Sequence, residues 1–268
     1  MQYIKSIGKY VLVFFITLII LFSSLTITSC IPKSMIEENI KESASFLKEY
    51  TGIKTLIKGH SCSVLHYYAD SVLLNIIYCI DSNTPIESTL WCYFYQFIKL
   101  DLNNDFVSLV ENDKQPNEEY LRYWHGSMVI IRPLLTVFNL EQIYILNTIL
   151  LFSLAIALFI MIFKRSVKLS VIYIISMLMI AFPIVPFCLE YTWTFYIMLI
   201  TSIIALCIEK KGDKSLNILF LLSGMITCFL DFLSTEIITL FIPMLLVLII
   251  RKHENRLPTL KNALLFIL

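Results

Sequence analysis

Two short clusters in the polar part of this chain carry the residue types of a group-transfer site. In HYYADSVLLNIIY (residues 66–78), His66 and Asp70 are four residues apart, so a helix would place them on one face. Asp70 would then lie beside Tyr67 and an apolar helix, where low polarity raises the proton affinity of a carboxylate and suits it to general-base catalysis. His66 and Tyr67 are substrate-binding candidates next to it, and the Tyr67 ring could stack on a substrate. One alternative stays open, because Asp is a favoured N-cap and Asp70 could cap a helix that starts at Ser71.

The second cluster is RYWHGSMVIIRP (residues 122–133), in which Arg122 and His125 are three residues apart. An arginine at membrane depth costs several kcal/mol unless it is paired, so we expect Arg132 to meet an acidic partner or a phosphate. Arg122, His125 and Arg132 together predict an anion-binding, substrate-binding site. Trp124 is also typical of an interfacial anchor, and that alternative explains the aromatic residues here.

Four further acids belong to the candidate site: Glu236 is a substrate-binding candidate, and Asp231, Glu37 and Glu38 are second choices. Asp231 and Glu236 fall in a short break between two apolar runs, where they could pair with Arg132 or line the same cavity, or could be ordinary turn residues. Glu37 and Glu38 form a pair close to the first apolar run, and could act as a base or hold a metal if they are not surface charge. The sequence predicts no defined metal site, and a divalent cation is the one cofactor that these acids could hold.

The composition predicts the class of protein that must position these residues. Apolar residues make up 58% of the 268, charged residues only 15%, and the mean hydropathy is +0.79, whereas soluble domains carry about a quarter charged residues. We therefore expect an all-α integral membrane protein, a multi-span helical bundle in the lipid bilayer. Glycine-rich phosphate loops, CxxC pairs and HExxH are absent from the sequence, so nucleotide-binding and zinc-protease functions have no support.

The apolar runs divide the chain into five parts. These are an N-terminal span (residues 1–29), a long loop with amphipathic helices (30–125), a re-entrant or interfacial segment (126–139), five spans (140–256) and the start of a further span (257–268). Residues 33–58 have the apolar spacing of a helix on the membrane surface. Pro133 argues against a continuous span through the third part. The short last run predicts that the chain is truncated at its C-terminus.

The first run has a second interpretation. A basic start followed by an apolar run also describes a secretory signal, and ITSC before Ile31 resembles a lipoprotein cleavage site. Its length, and the spans that follow, favour a membrane anchor.

Lysine and arginine in the connecting loops predict the orientation. They place the N-terminus in the cytoplasm and residues 30–125 outside the cell membrane, in a multi-pass arrangement. The residues that agree are Lys5, Lys9, Lys164, Arg165, Lys168, Lys210, Lys211, Lys214, Arg251, Lys252 and Arg256. Because orientation explains these charges, no nucleic acid partner is expected.

The order of these parts resembles the glycosyltransferases of the C superfold (GT-C-like). An N-terminal span precedes a long outer loop, an acid opens an aromatic-rich helix in YYADSVLLN, and closely spaced spans follow. RYWHG followed by RPLL resembles more closely a set of bacterial multi-pass membrane proteins of this shape. The resemblance covers residues 1–250, mainly as topology. It implies that a sugar moves from a polyprenyl-phosphate donor to a cell-envelope acceptor on the outer face.

The resemblance implies a mechanism for the candidate residues. Arg132, with His125, binds the phosphate of the lipid-linked sugar donor, and Asp70 deprotonates the acceptor hydroxyl in one inverting displacement. Two departures stand against it: Asp70 lies about forty residues after the first span, and it is a lone Asp, while the pair Glu37 and Glu38 fits the usual placement better. The alternatives are a transporter of envelope lipid precursors and a non-catalytic multi-pass protein.

Overall fold

The fold is nearly all α-helical in the residues that the structure describes. A computed structural model describes residues 2–50, 53–55, 64–97, 101–231 and 235–253. Its α-helices are α1 (Gln2–Ser29), α2 (Glu37–Tyr50), α3 (Tyr68–Cys79), α4 (Pro85–Trp91), α5 (Leu102–Glu111), α6 (Met128–Leu134), α7 (Leu140–Phe163), α8 (Val167–Met179), α9 (Leu189–Ile208), α10 (Asp213–Leu230) and α11 (Ile237–His253). Two antiparallel ribbons pair β1 (Ile53–Thr55) with β2 (Val64–His66), and β3 (Tyr93–Phe94) with β4 (Glu118–Glu119).

Four of these helices are long and apolar enough to cross a membrane. They are α1 over Ile7–Ser29, α7, α9 and α10. Helix α9 is central, since it packs against α7, α10 and α11 and its span is 61% buried. Helix α1 is peripheral, with 11% of its span buried, and it packs along α10.

One of the five spans predicted within residues 140–256, the apolar run at 169–187, is not one helix. Helix α8 has 13 residues, or about 20 Å at 1.5 Å per residue, which is short of a hydrocarbon core of about 30 Å. A 3-10 helix, Phe182–Phe187, follows it and contains two prolines. Ala181 between them takes a left-handed φ of 53°, which ends the first helix. The apolar run at 216–250 is divided between α10 and α11, and the predicted further span at 257–268 lies outside the described residues.

Helix α2 packs on protein, which corrects the prediction of a membrane-surface helix over residues 33–58. Ile40 and Leu47 of α2, and Ile36 just before it, are fully buried in a core shared with α3 and α5. The opposite face carries the predicted solvated charges, such as Lys41, which lies 2.7 Å from Glu37. The helical spacing was sufficient to find the buried face, but spacing alone does not distinguish a lipid partner from a protein partner.

Buried charges join the helix ends on the side opposite the polar segment. The fully buried carboxylate of Glu209 accepts from Arg165 at 3.0 Å and lies 3.8 Å from Nε of Arg251. Arg251 also donates to Asp213 at 2.8 Å and to the Glu209 carbonyl at 2.7 Å. This network ties the ends of α7, α9, α10 and α11 together.

Candidate functional site

Asp70 does not cap its own helix. Helix α3 begins at Tyr68, so Asp70 is its third residue, and the prediction of a helix starting at Ser71 is wrong. The buried carboxylate accepts the Tyr144 hydroxyl of α7 and the Leu189 N–H, at 3.0 Å to Oδ1 and 3.3 Å to Oδ2. Because Leu189 is the first residue of α9, Asp70 satisfies an amide that has no partner inside that helix. Asp70 therefore joins α3, α7 and α9.

The environment of Asp70 is aromatic and fully buried. The Tyr67 and Tyr144 rings stack with centroids 6.1 Å apart, and Phe46 meets Tyr67 edge-on at 5.6 Å. Burial raises the pKa of Asp70 to about 7, against the lowering effect of the bonds from Tyr144 and Leu189. The raised pKa is what the sequence predicts for a base, but the side chain has no exposed surface on which to meet a substrate.

Of the two residues expected beside Asp70, His66 lies elsewhere and Tyr67 does not. His66 belongs to β2, where it pairs with Ile53, so it does not share a helical face with Asp70 as predicted. His66 is the last residue of β2, and α3 begins two residues later at Tyr68. The side chain of His66 is outside what the structure describes. Tyr67 is buried against aromatic rings and is a packing residue rather than a platform for a sugar.

Arg132 caps helix ends, which corrects the prediction of an acidic partner or a phosphate. Its fully buried guanidinium donates to the carbonyl of Ile77, in the last turn of α3, and to the carbonyl of Ile31, just after α1, at 2.5 Å. Carbonyls at helix C-termini are electron-rich and lack helical partners, so a cation there stabilises both ends. Burial lowers the pKa of Arg132 to about 10, so the guanidinium stays charged at neutral pH.

His125 is a neutral docking residue rather than a phosphate ligand. It takes a left-handed φ of 51°, is buried, and donates from Nε2 to the Tyr120 carbonyl at 3.0 Å. Burial lowers its pKa to about 4, so it carries no charge at neutral pH. Next to it, Gly126 donates its N–H to the Phe229 carbonyl at 3.0 Å, and a Cβ on Gly126 would lie 2.3 Å from that oxygen. Residues 125 and 126 therefore dock on the end of α10.

Arg122 is exposed and lines a pocket at the end of α1. Its guanidinium lies 5.1 Å from the centre of the Tyr123 ring. The Arg122 pocket has a volume of about 260 Å³, between the last turns of α1, helix α4 and residues 120–124. Phe22 and Leu25 form its α1 wall.

A larger apolar cavity lies directly beside the Arg122 pocket. This α1–α10 cavity has a volume of about 720 Å³ and a predominantly apolar lining that includes Phe14, Leu18, Leu21, Leu221, Gly224 and Phe229. Trp124 lines both spaces. On α1 the two linings run from Tyr10 to Leu25, fifteen residues or about 22 Å at 1.5 Å per residue. That length exceeds one leaflet, which is about half of a 30 Å core.

The remaining predicted acids lie apart from the two pockets. Glu37 pairs with Lys41 on the exposed face of α2, and Glu38 is exposed beside it. Asp231 is buried at the end of α10, and Glu236, half-buried, accepts the Thr239 hydroxyl at its carbonyl. Among the described residues no group of three or more His, Cys, Asp and Glu side chains could hold a metal ion.

Glu190 is an acid that residue type and spacing alone do not single out. It lies in the first turn of α9, half-buried, directly after the amide that Asp70 holds. Burial is the main cause of the raised pKa of Asp70 and of Tyr120, a residue that lines the Arg122 pocket, and the negative charge of Glu190 adds a smaller contribution to both. The sequence places Glu190 in a short turn between apolar runs, but its electrostatic effect on Asp70 and Tyr120 depends on how distant segments pack.

Comparisons with known proteins give no assignment. No protein-family model matches the chain, and neither a curated protein nor a solved structure matches it. The residues and their geometry therefore carry the functional argument.

Proposed function

We propose that this protein binds a long-chain lipid with an anionic headgroup and transfers the group that the lipid carries. The observation that carries the proposal is the meeting of the Arg122 pocket and the α1–α10 cavity at Trp124. Together the pocket and the cavity form an apolar furrow, a groove of about 22 Å along α1 with the guanidinium of Arg122 at one end. This shape matches an amphipathic molecule whose chain is longer than one leaflet. Polyprenyl phosphate carrying a sugar is such a lipid, and the loop charges favour the outer face for the reaction.

Each end of the furrow has its own chemistry in this proposal. Arg122 binds the phosphate, because a guanidinium makes two parallel charged hydrogen bonds to phosphate oxygens. Trp124 lies where the headgroup meets the chain, a level that suits its amphipathic ring. The chain extends past Phe14 and Leu18, where Gly224 leaves room opposite α1.

Glu190 supplies the base in the proposed reaction, in place of Asp70. Its carboxylate takes the proton from the acceptor hydroxyl as that oxygen bonds to the anomeric carbon. The bond between this carbon and the phosphate oxygen breaks, and the phosphate leaves with the electron pair, so the anomeric centre is inverted. Asp70 is a positioning residue, because it holds the amide of Leu189 and so fixes the first turn of α9.

Envelope glycans of the host that carries this gene provide the test of transfer. We expect Glu190→Gln to abolish the glycan change that depends on the protein, at unchanged protein level. Glu38→Gln is the matched control, since Glu38 is an exposed acid of α2, and it should retain full activity. Unchanged glycans in the Glu190→Gln strain would contradict the catalytic proposal.

A non-catalytic lipid-binding role is the second candidate, and the burial of Asp70 favours it. The acid that the resemblance marks for catalysis is used to join three helices. In that case lipid binding at Arg122 persists and no glycan depends on Glu190. The transport alternative has less support, because Arg132, which would line a polar path, donates to two helix ends instead.

A further inference from the structure

Helix α4 exposes a set of large apolar side chains. Ile86, Leu90 and Trp91 are 57%, 54% and 42% exposed, while Ser88 and Thr89 are buried. Helix α4 begins at Pro85 and packs against α1. Leu121, 57% exposed, lies on the neighbouring wall of the Arg122 pocket. Exposed apolar groups gathered in this way mark a surface that has a partner.

Contacts with α1 give the depth of this surface. The hydroxyl oxygens of Ser29 and Thr89 are 3.1 Å apart, and Ser29 is the last residue of the first candidate span. Leu90 lines the Arg122 pocket with Phe22 and Leu25, which precede Ser29 by seven and four residues. At 1.5 Å per residue, these positions lie about 6–10 Å inside the end of the span.

We propose that α4 and Leu121 form an interfacial anchor that inserts into the lipid bilayer at the C-terminal end of α1. Helix α4 packs on α1, which exposes Ile27 two residues before its end, so the bilayer that covers α1 also covers α4. Amphipathic helices at interfaces bury their apolar face about 5–10 Å into the boundary between headgroups and chains, which matches the depth of Leu90. Trp91 has the side chain that is enriched at this level, and exposed Arg122 faces anionic headgroups.

This inference does not depend on glycosyl transfer or on a lipid bound in the α1–α10 cavity. The anchor holds the Arg122 pocket at headgroup level whatever the pocket contains. A second copy of the chain, or another protein, would be the other kind of partner for the same surface. The two kinds differ in whether lipid chains touch Trp91.

Fluorescence of Trp91 in reconstituted vesicles tests the anchor. In the full chain with Trp124→Phe and Trp193→Phe, Trp91 is the only tryptophan. We expect lipids brominated near the headgroup end of the chain to quench it more than lipids brominated at mid-chain. Lys211→Trp, combined with Trp91→Phe in that background, is the control at an exposed loop between α9 and α10. Iodide in the water should quench Trp91 several-fold less than this control.

Two results would overturn the anchor. Quenching of Trp91 by iodide as strong as that of the Lys211→Trp control, with no effect of brominated lipid, would place α4 in water. Protection from both quenchers would assign the surface to a protein partner. If the single-tryptophan protein does not fold, Trp91→Phe in the native background gives the same information, through the fraction of lipid-quenched fluorescence that is lost.

Discussion

The carboxylate of Asp70 accepts the backbone N–H of Leu189 at 3.0 Å, which joins helix α3 to the first residue of α9, 119 positions along the chain. The same carboxylate accepts the hydroxyl of Tyr144 in α7. One side chain therefore fixes the ends of two candidate membrane spans relative to the polar segment.

Two replacements of Asp70 distinguish its role as a hydrogen-bond acceptor from its role as a negative charge. We expect Asp70→Asn to unfold near the wild-type temperature, because an amide oxygen still accepts from Tyr144 and Leu189. Asp70→Ala leaves both donors buried without a partner, at a cost of about 1–3 kcal/mol for each. Thermal unfolding of the detergent-purified protein measures the difference, and equal melting temperatures for Asp70→Ala and wild type would contradict the structural role.

The pH dependence of stability contains two opposed contributions. Asp70 has a pKa raised from 3.8 to about 7, so its contribution to stability is full below about pH 3.8 and is lost as the pH rises to 7. His125 has a pKa lowered from 6.5 to about 4, so its contribution is full above pH 6.5 and is lost as the pH falls to 4. The two contributions therefore offset each other between about pH 4 and 6.5.

Single variants should expose each contribution. Asp70→Asn leaves the His125 contribution, so the melting temperature should fall as the pH is lowered from 6.5 to 4. His125→Asn leaves the Asp70 contribution, so the melting temperature should rise over the same interval; Asn also tolerates the left-handed backbone at this position. The measurement is the melting temperature of each variant in buffers from about pH 4 to 6.5. If the melting temperature changed in the same direction with pH in both variants, the opposed contributions of Asp70 and His125 would be refuted.

Gly126 makes a close contact that excludes any side chain. Gly126→Ala puts a Cβ about 2.3 Å from the carbonyl oxygen of Phe229, so residues 125 and 126 must move away from α10. We expect a loss of about 1–3 kcal/mol, as for other overpacked contacts. Gly8→Ala is the matched control, because no atom lies within 4 Å of its new Cβ. Equal unfolding temperatures for the two variants would show that the contact does not matter.

Glu209 should be the most sensitive charge at the opposite helix ends. Glu209→Gln removes the fully buried carboxylate that pairs with Arg165 at 3.0 Å and faces Arg251, which keeps the more exposed Asp213 as an acidic partner. Breaking a buried pair costs up to about 3–5 kcal/mol. Glu37→Gln removes an exposed partner of Lys41 and should leave the unfolding temperature unchanged. A Glu209→Gln protein as stable as the Glu37→Gln protein would show that the network contributes little.

Local signals in the sequence predicted much of the helical structure. The run at 140–163 corresponds to α7, which begins with a capping box: Asn139 accepts the Gln142 amide at 3.0 Å, and Gln142 accepts the Asn139 amide at 3.0 Å. Residues in such a box are neighbours in the chain, so their types and spacing are enough to indicate it. The break between α10 and α11 is visible for a similar reason, because charged residues interrupt an apolar run.

The candidate site could not be predicted in the same way. His66 has the spacing of a helical partner for Asp70, but its pairing with Ile53 takes it into a ribbon. Arg132 has the charge to bind a phosphate, but its guanidinium donates hydrogen bonds to the carbonyls of Ile77 and Ile31 instead. Each outcome depends on a contact between distant segments. Such contacts cannot be predicted from composition and spacing alone.

Binding of polyprenyl phosphate by the purified full-length protein tests the central claim most directly. Native mass spectrometry would compare wild type, Arg122→Gln, Gly224→Leu and a Lys211→Gln control with undecaprenyl phosphate and with the uncharged alcohol. We predict that wild type and Lys211→Gln bind the phosphate, that Arg122→Gln binds it at least tenfold more weakly without preference over the alcohol, and that Gly224→Leu, which fills the α1–α10 cavity, binds neither. Equal binding by all four proteins would contradict the account.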